Sequence, residues 1–498
     1  MPVKILFASS EAAPLIKTGG LADVSGSLPL ALRAAGDDAR LVLPAYPAVL
    51  QAVEQCTVLS ELQIPGHEDK VRILAATDPR LDIPLYLVDA PALFGREGNP
   101  YVDSDGKDYP DNALRFAVFC RAVVALALGR ADHWRPELVH CNDWQTGLVP
   151  ALLSREWERP AMVFTVHNLA YQGRFDRATF DALELPPALW TMDGLEFHGD
   201  FSFIKGGISF ADMVTTVSPT YAREICAPEL GYGLDGLLRH RGQRLVGILN
   251  GIDTRAWDPA GDPLLPHHYD SNDLSGKAAC KAELLASLGL PVRPDSLLFS
   301  HIGRLVSQKG ADLIIAILPS LMAVPDTQLV ILGSGDAHLE AFLRKAAERY
   351  PERVGVHIGY NERLSHLIEA GSDVFLMPSR FEPCGLNQLY SLRYGTVPVV
   401  HKTGGLADTV VDATSRALFD ETATGFVFEH ADADGLWWAV NRAIELHQRP
   451  AIWWEKLVRT CMAQDFDWRV SAEHYREIYR FALDHPAATP IPEIRSIP

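Results

Sequence analysis

Lys17-Thr18-Gly19-Gly20-Leu21-Ala22-Asp23 recurs unchanged as Lys402-Thr403-Gly404-Gly405-Leu406-Ala407-Asp408. A seven-residue identity at such separation points to two copies of one structural unit. Around each copy the chain changes character in the same way. A short β-rich apolar run precedes it (residues 3–9 and 397–400), and apolar residues at helical spacing follow (21–35 and 406–412). Strand, glycine turn and helix is how a Rossmann-like unit opens.

The same alternation extends outward from both copies. In the first half, short apolar runs at 39–43, 138–140, 161–166 and 213–217 are separated by helical stretches such as 112–128. Residues 57–89 alternate more and predict a β-hairpin insertion. Asn250-Gly251-Ile252-Asp253 reads as a turn, and 257–294, rich in Pro, Asp and His, as a linker plus one helix. The second half predicts strands at 297–302, 328–332, 354–358, 374–377 and 397–400, with helices at 311–322, 338–349, 363–370, 386–394 and 406–412. Strands alternating with helices imply parallel sheets. The predicted fold class is α/β, with two Rossmann-like doubly wound domains facing a central cleft. The first covers 1–252, with a helix at about 464–485 returning to it. The second covers 253–463, and 486–498 form a Pro-rich tail.

Composition narrows the function. The chain has 498 residues, 48% hydrophobic and 22% charged, as in an ordinary globular protein. Its formal charge of −18 argues against nucleic acid and anionic membranes as partners. The seven cysteines are scattered without C-x-x-C, which predicts neither a disulfide framework nor zinc and fits a reducing cytoplasm. The N-terminal apolar run Ile5-Leu6-Phe7-Ala8 is too short for a signal peptide. The apolar region 113–129 is interrupted by Arg115 and Arg121, so it predicts a buried helix and no membrane span. No H-x-x-x-H, no clustered carboxylates and no P-loop pattern occur, so neither a metal nor a cofactor is expected.

Several polar residues fall where strands end, and open α/β sheets bind ligands there. Arg304 and Lys309 share the loop Gly303-Arg304-Leu305-Val306-Ser307-Gln308-Lys309-Gly310, where two cations can flank a diphosphate. Glu382, in Phe381-Glu382-Pro383-Cys384-Gly385-Leu386, is either a carboxylate for sugar hydroxyls or developing positive charge, or a helix cap. Cys384 reads as a packed residue because no partner base is evident. The Gly-Gly turns, Gly19-Gly20 and Gly404-Gly405, let backbone N–H groups approach an anion or a sugar. His167-Asn168 ends one strand. His140-Cys141-Asn142-Asp143-Trp144 ends another, with Asp143 open to a reading as a helix cap.

In combination and in order, Lys17 to Leu21, His167-Asn168, Asn250 to Asp253, Gly303-Arg304 with Lys309, Glu382 to Leu386 and Thr403 to Leu406 resemble the glycogen and starch synthases. These are retaining glycosyltransferases of family 5 with the two-Rossmann GT-B fold. The resemblance runs from about Val3 to Phe481. Related retaining transferases carry a second Glu eight residues after the first, where this chain has Tyr390, as is usual in the glycogen synthase branch.

The resemblance implies transfer of glucose from ADP-glucose to the non-reducing end of an α-1,4-glucan. It implies that Lys17, Arg304 and Lys309 hold the diphosphate and that Tyr360 stacks on adenine. Glu382 and the Cys384, Gly385 and Leu386 backbone would hold glucose, with His167 and Asn168 across the cleft. Gly19, Gly20, Thr403, Gly404 and Gly405 would complete the donor site, with Asp23, Asp143, Trp144 and Asn250 near the sugar or acceptor. Retention without an evident nucleophile fits same-face attack within an ion pair, with a short-lived covalent intermediate left open. Competing readings are a UDP-glucose enzyme or one with another acceptor, a NAD-dependent oxidoreductase, and a non-catalytic glucan-binding protein. The oxidoreductase lacks its complete G-x-G-x-x-G. The ten Trp residues include Trp437-Trp438 and Trp453-Trp454, whose helical spacing favours packing over sugar contact.

Overall fold

The computed structural model describes residues 2–486. Beyond its first residue, the expected tail lies outside the described residues. The chain divides into two units. One runs to Gly251 and resumes at Trp468, and the other is Ile252–Asp467.

The first unit carries β1 (Lys4–Ala8), β2 (Asp38–Pro44), β3 (Gln55–Leu62), β4 (Val71–Thr77), β5 (Leu85–Asp89), β6 (Leu138–Asn142), β7 (Ala161–Val166), β8 (Arg174–Phe175), β9 (Glu196–Phe197), β10 (Asp200–Ser202), β11 (Met213–Thr216) and β12 (Leu245–Gly247). Nine of them form one sheet in the order β12-β11-β7-β6-β1-β2-β5-β4-β3, while β8, β10 and β9 form a small antiparallel sheet. The strand order reverses at β1, between β2 and β6. The loops after β1, β6 and β7 therefore leave the sheet side by side at a topological switch point.

The region read as a hairpin insertion belongs to the main sheet. β5 pairs parallel with β2, and β4 and β3 extend the edge antiparallel. The edge strand β3 is largely exposed and β5 wholly buried. Alternation along such an edge shows a half-buried strand but not which strand it pairs with.

The second unit carries β13 (Leu297–Ile302), β14 (Thr327–Gly333), β15 (Val354–Ile358), β16 (Val374–Met377), β17 (Val397–His401) and β18 (Phe426–Phe428), ordered β15-β14-β13-β16-β17-β18 and all parallel. Its switch point lies between β13 and β16. The strands are continuous apolar runs because helices cover a parallel sheet on both faces. Leu298, Phe299, Leu329, Val330, Val374 and Leu376 are fully buried, each contributing about 1.5–3 kcal/mol through removal from water. The sequence reading did not anticipate β18, and it gave no bounds for the helices Ala433–His447 and Ile452–Met462, of which it read only the helical spacing of the Trp pairs. Trp437, Trp453 and Trp454 on those helices pack on the core, and Trp438 lies under the Arg442 guanidinium.

The two identical heptapeptides fold differently. Residues 9–19 separate β1 from the helix Gly20–Ala34, whereas only Lys402 and Thr403 separate β17 from the six-residue helix Gly404–Thr409. That helix is shorter than the 406–412 expectation and starts two residues earlier.

The chain returns to the first unit as the helix Trp468–Asp484. Its buried Tyr479 hydroxyl meets His140 Nδ1 at 2.7 Å, and His140 Nε2 meets the Thr165 hydroxyl at 2.6 Å. Among the described residues no helix is long and apolar enough to cross a membrane.

A buried ion pair fixes the starts of β7 and β11. Asp212 accepts from both terminal nitrogens of Arg159 (2.8 and 2.9 Å) and from the Met162 amide (2.8 Å), and both side chains are almost wholly buried. Removing one partner strands a buried charge. Asp212→Ala is expected to cost about 3–5 kcal/mol in urea unfolding of the first unit. A loss under about 1 kcal/mol, the value of a surface pair, would contradict this.

Candidate active site

In the second unit the loops after β13 and β16 meet at the switch point. Lys309 Nζ donates to Glu382 Oε2 at 2.6 Å, and the Ser379 hydroxyl donates to the same oxygen at 2.9 Å. Glu382 is buried, so this pairing answers the cost of taking a carboxylate out of water. Gln308 ties the loops together, donating to the Phe381 carbonyl (2.8 Å) and accepting from the Arg380 amide through its own carbonyl (2.9 Å). Arg304 reaches into solvent, with one bond of 3.3 Å to Gln308. The two cations named from sequence therefore differ: Arg304 is open, and Lys309 is engaged with Glu382.

Glycines set the back of this half-site. The Gly405 amide donates to the carbonyls of Glu382 and Pro383, each at 3.1 Å. A Cβ at Gly404 would overlap the Glu382 carbonyl, and one at Gly405 the Cys384 carbonyl. Gly404 has φ +44° and Gly385 φ +72°, in the left-handed region that glycine enters freely. The second glycine pair therefore seats the 382–385 loop backbone to backbone, which its reading as an open anion turn did not foresee. At the first copy, space around a Gly19 Cβ is empty and Gly20 is exposed. Lys17 there donates to Asp23 at 2.7 Å. Thr403, Cys384 and the intermediate Leu386 lie in the second-unit cluster. Tyr360, just past β15, is 83% exposed and not packed into the sheet edge.

In the first unit, Asp143 sits at the end of β6 with φ +55°, a strained conformation for a non-glycine residue. Its Oδ1 accepts from the amides of His167 (2.7 Å) and Asn168 (3.4 Å), joining the β6 and β7 loops. It makes no cap to the turn that follows, which overturns the capping reading. Burial pushes its carboxyl up to about 7. Asn142 donates through Nδ2 to the Ala8 carbonyl (3.0 Å), which leaves Asn142 Oδ1 as acceptor for His167 Nε2 at 2.9 Å. His167 therefore carries its proton on Nε2, and burial lowers its pKa to about 3, so it is a neutral hydrogen-bonding group.

Trp144, placed near sugar from sequence, packs edge-on against Phe116 and Phe203 and covers Gly173, where a Cβ would overlap its ring. The ring thus packs beside the β6 loop. Asn250 is buried with Oδ1 lacking a hydrogen-bond partner among the described residues.

Three polar residues went unread in the sequence. Glu11, in the β1 loop, accepts from the Thr18 hydroxyl (2.8 Å) and the Tyr101 hydroxyl (3.2 Å), and burial raises its pKa. Polar Ser9-Ser10-Glu11 after a buried strand was the available signal. Tyr101 had none, because only tertiary folding brings it to the β1 loop. His301, near the end of β13, donates from Nδ1 to the Leu376 carbonyl (2.8 Å), and burial lowers it to about 4. Among the described residues no group of three or more His, Cys, Asp or Glu side chains could hold a metal ion.

Residues 4–240 match the starch synthase catalytic domain family and residues 289–456 the glycosyl transferases group 1 family. The chain is 57% identical over 480 residues to the glycogen synthase of Thioalkalivibrio sulfidiphilus, covering 96% of this chain and 99% of that one. It is 56% identical over 483 residues to glycogen synthase 1 of Methylococcus capsulatus, covering 97% of each. The chain belongs to the glycogen and starch synthase family. Among solved structures it resembles the catalytic domain of starch synthase IV from Arabidopsis thaliana bound to ADP and acarbose. That likeness has a TM-score of 0.88 and 32% identity, over 97% of this chain and 100% of that one. Sucrose-phosphate synthase of Thermosynechococcus elongatus, at TM-score 0.57 and 18% identity over 96% of this chain and 99% of that one, shares the fold.

Two outcomes follow from this member of the glycogen and starch synthase family. Gly405→Ala forces the Cys384 carbonyl to move, so glucosyl transfer is expected to fall about 10²-fold, because misplacement by about 1 Å is that costly. Wild-type turnover in the folded variant, judged by circular dichroism, would refute the close-packed seat. For Asp143, the folded protein keeps a proton between about pH 4 and 7 that the unfolded chain has lost. Its contribution to stability is thus complete below about pH 4 and lost as pH rises through 7. Urea midpoints of Asp143→Asn should gain on wild type across that window and run parallel above about pH 8. Parallel curves throughout would contradict the raised carboxyl.

Proposed function

We propose that the chain transfers glucose, with retention, from ADP-glucose to the non-reducing end of an α-1,4-glucan. The observation that carries this reading is the Lys309–Glu382–Ser379 cluster at a sheet switch point, in a chain that matches glycogen synthases almost end to end. ADP bound to the starch synthase IV catalytic domain supports an adenine nucleotide as the donor's leaving part.

A nucleoside diphosphate leaves readily, so the reaction needs positive charge at the departing phosphate more than a general acid. Arg304 and Lys309 supply that charge. Donor phosphates draw the Lys309 ammonium away from full engagement with Glu382. Glu382, still held through Oε2 by the Ser379 hydroxyl, then offers its negative charge to the sugar as positive charge develops there. The backbone of Cys384, Gly385 and Leu386, with Thr403, Gly404 and Gly405, shapes the glucose pocket, and Tyr360 offers its exposed ring to adenine. On the first unit, Asn168 and neutral His167 offer hydrogen bonds to sugar hydroxyls, which suits a substrate without charge. Asp143 holds the His167 and Asn168 amides and belongs with Asp23 and Asn250 to the acceptor side. The leaving phosphate accepts the proton of the attacking glucan hydroxyl.

The test is radiolabelled ADP-glucose or UDP-glucose incubated with glycogen in the presence of EDTA. Incorporation from ADP-glucose, with several-fold less from UDP-glucose, is the expected result. No incorporation from either, or preference for UDP-glucose, would overturn the reading as stated. In the same assay Lys309→Ala should lower kcat by about 10²-fold or more. Unchanged turnover at saturating donor would remove Lys309 from the mechanism.

A further inference from the structure

Gly333-Ser334-Gly335, at the end of β14, is a fragment of the G-x-G pattern whose glycines make room for a pyrophosphate in dinucleotide-binding folds. No step of the proposed reaction uses it. Here protein takes the room that the glycines leave. A Cβ at Gly333 would stand 1.9 Å from the Gly303 carbonyl oxygen, and one at Gly335 2.3 Å from that of Leu305. Neither glycine lies in the left-handed region, so close backbone approach is what requires glycine at both positions.

What approaches them is the turn that carries Arg304. The Gly303 amide donates to the Leu332 carbonyl (3.1 Å), the Leu305 amide donates to the Ser334 carbonyl (2.9 Å), and the Asp336 amide donates back to the Leu305 carbonyl (2.8 Å). Arg304 is thus bracketed by main-chain bonds to a single loop, while its own side chain is exposed. The same loop reaches the next one: the Gly333 carbonyl accepts the Gly359 amide at 3.0 Å, one residue before Tyr360. Glu340, in the first turn of the helix Ala337–Arg349, accepts the Gly335 amide on Oε1 at 2.9 Å and meets Arg344 through Oε2 at 3.4 Å. With so little to hold the Arg304 side chain, the reach of its guanidinium is decided by where its backbone sits. A methyl at Gly335 would displace the Leu305 carbonyl and tilt the peptide that follows Arg304.

We propose that Gly333, Gly335 and Glu340 are positioning residues that aim Arg304 at the donor diphosphate, acting through the 303–305 turn. This rests on the glucosyltransferase reading above, in which Arg304 meets the diphosphate, and adds what fixes its aim. The glycines admit the turn, and Glu340 fixes the loop that receives it. The fragment of a dinucleotide pattern thus serves the nucleotide indirectly, by seating the backbone of a cation.

The experiment measures kcat/KM for ADP-glucose, KM for glycogen and calorimetric ADP affinity. The proteins are the wild type, Gly335→Ala, Glu340→Ala, Glu340→Gln, Arg304→Ala and the double variant of Gly335→Ala with Arg304→Ala. Gly261→Ala is the control, since its added methyl meets nothing within 4 Å, and it should match the wild type. Gly335→Ala should lower kcat/KM for ADP-glucose about tenfold or more, weaken ADP, and leave KM for glycogen within about twofold. In the Arg304→Ala background the same substitution should cost less than about twofold, because its effect passes through the missing guanidinium. Glu340→Ala should lose about fivefold, the worth of one hydrogen bond, and Glu340→Gln, which keeps an acceptor oxygen, should recover most of it. Should Gly335→Ala fail to fold, judged by circular dichroism, the two Glu340 variants carry the test. An undiminished loss in the Arg304→Ala background, an equal change in glycogen KM, an unimpaired Arg304→Ala, or a Gln variant no better than the Ala one would overturn the positioning while leaving the glucosyltransferase reading in place. A wild type that transfers no glucose from ADP-glucose would instead defeat that reading, and nucleotide affinity, taken with ADP and with UDP, would then judge the seat without turnover.

Discussion

A carboxylate removed from water must be met by charge and hydrogen bonds, and Glu382 imposes that constraint on the second unit. Lys309 and Ser379 meet it from two loops that leave neighbouring strands. Those loops can converge only because the strand order reverses between β13 and β16. The seat beneath them has room for no side chain, which is why two glycines face the carbonyls of Glu382 and Cys384. Once these conditions hold, the remaining polar groups, Gln308 and Arg380 among them, act as ties between loops.

The first unit solves a different problem at its own switch point. Here the groups are buried without counter-charge, and burial itself decides their states. His167 is kept neutral and Asp143 is driven toward its acid form. Backbone amides and the Asn142 side chain serve as partners. A set of neutral donors and acceptors suits an uncharged sugar. A cluster of cations and a paired carboxylate suits a diphosphate leaving a sugar. Each unit's electrostatics thus fits one side of the proposed reaction.

The repeated heptapeptide shows how far local sequence reaches. In both places it lies between a strand and a helix, as read. Yet Gly19 meets open space while Gly404 and Gly405 are wedged against another loop, because what a glycine is for depends on what comes near it. Asp143 and Trp144 show the same limit. The carboxylate turned from a cap into a tie between loops, and the indole is packed against Gly173. Both outcomes depend on residues more than 20 positions away, and no local pattern encodes them.

The sequence by itself determined the alternation of buried strands and helices and the glycine turns, because these follow from residue patterning over a few positions. It also placed Arg304, Lys309, Glu382 and His167 just beyond strand ends, since a strand's end is marked by the polar residue that follows it. Tertiary structure alone decided which strands are neighbours, and so which loop ends meet. It joined Lys309 to Glu382 across 73 positions and brought Tyr101 to Glu11 across 90. It also set the protonation of His167 and Asp143, because burial in a folded interior, unlike residue type, is a property of everything packed around a group.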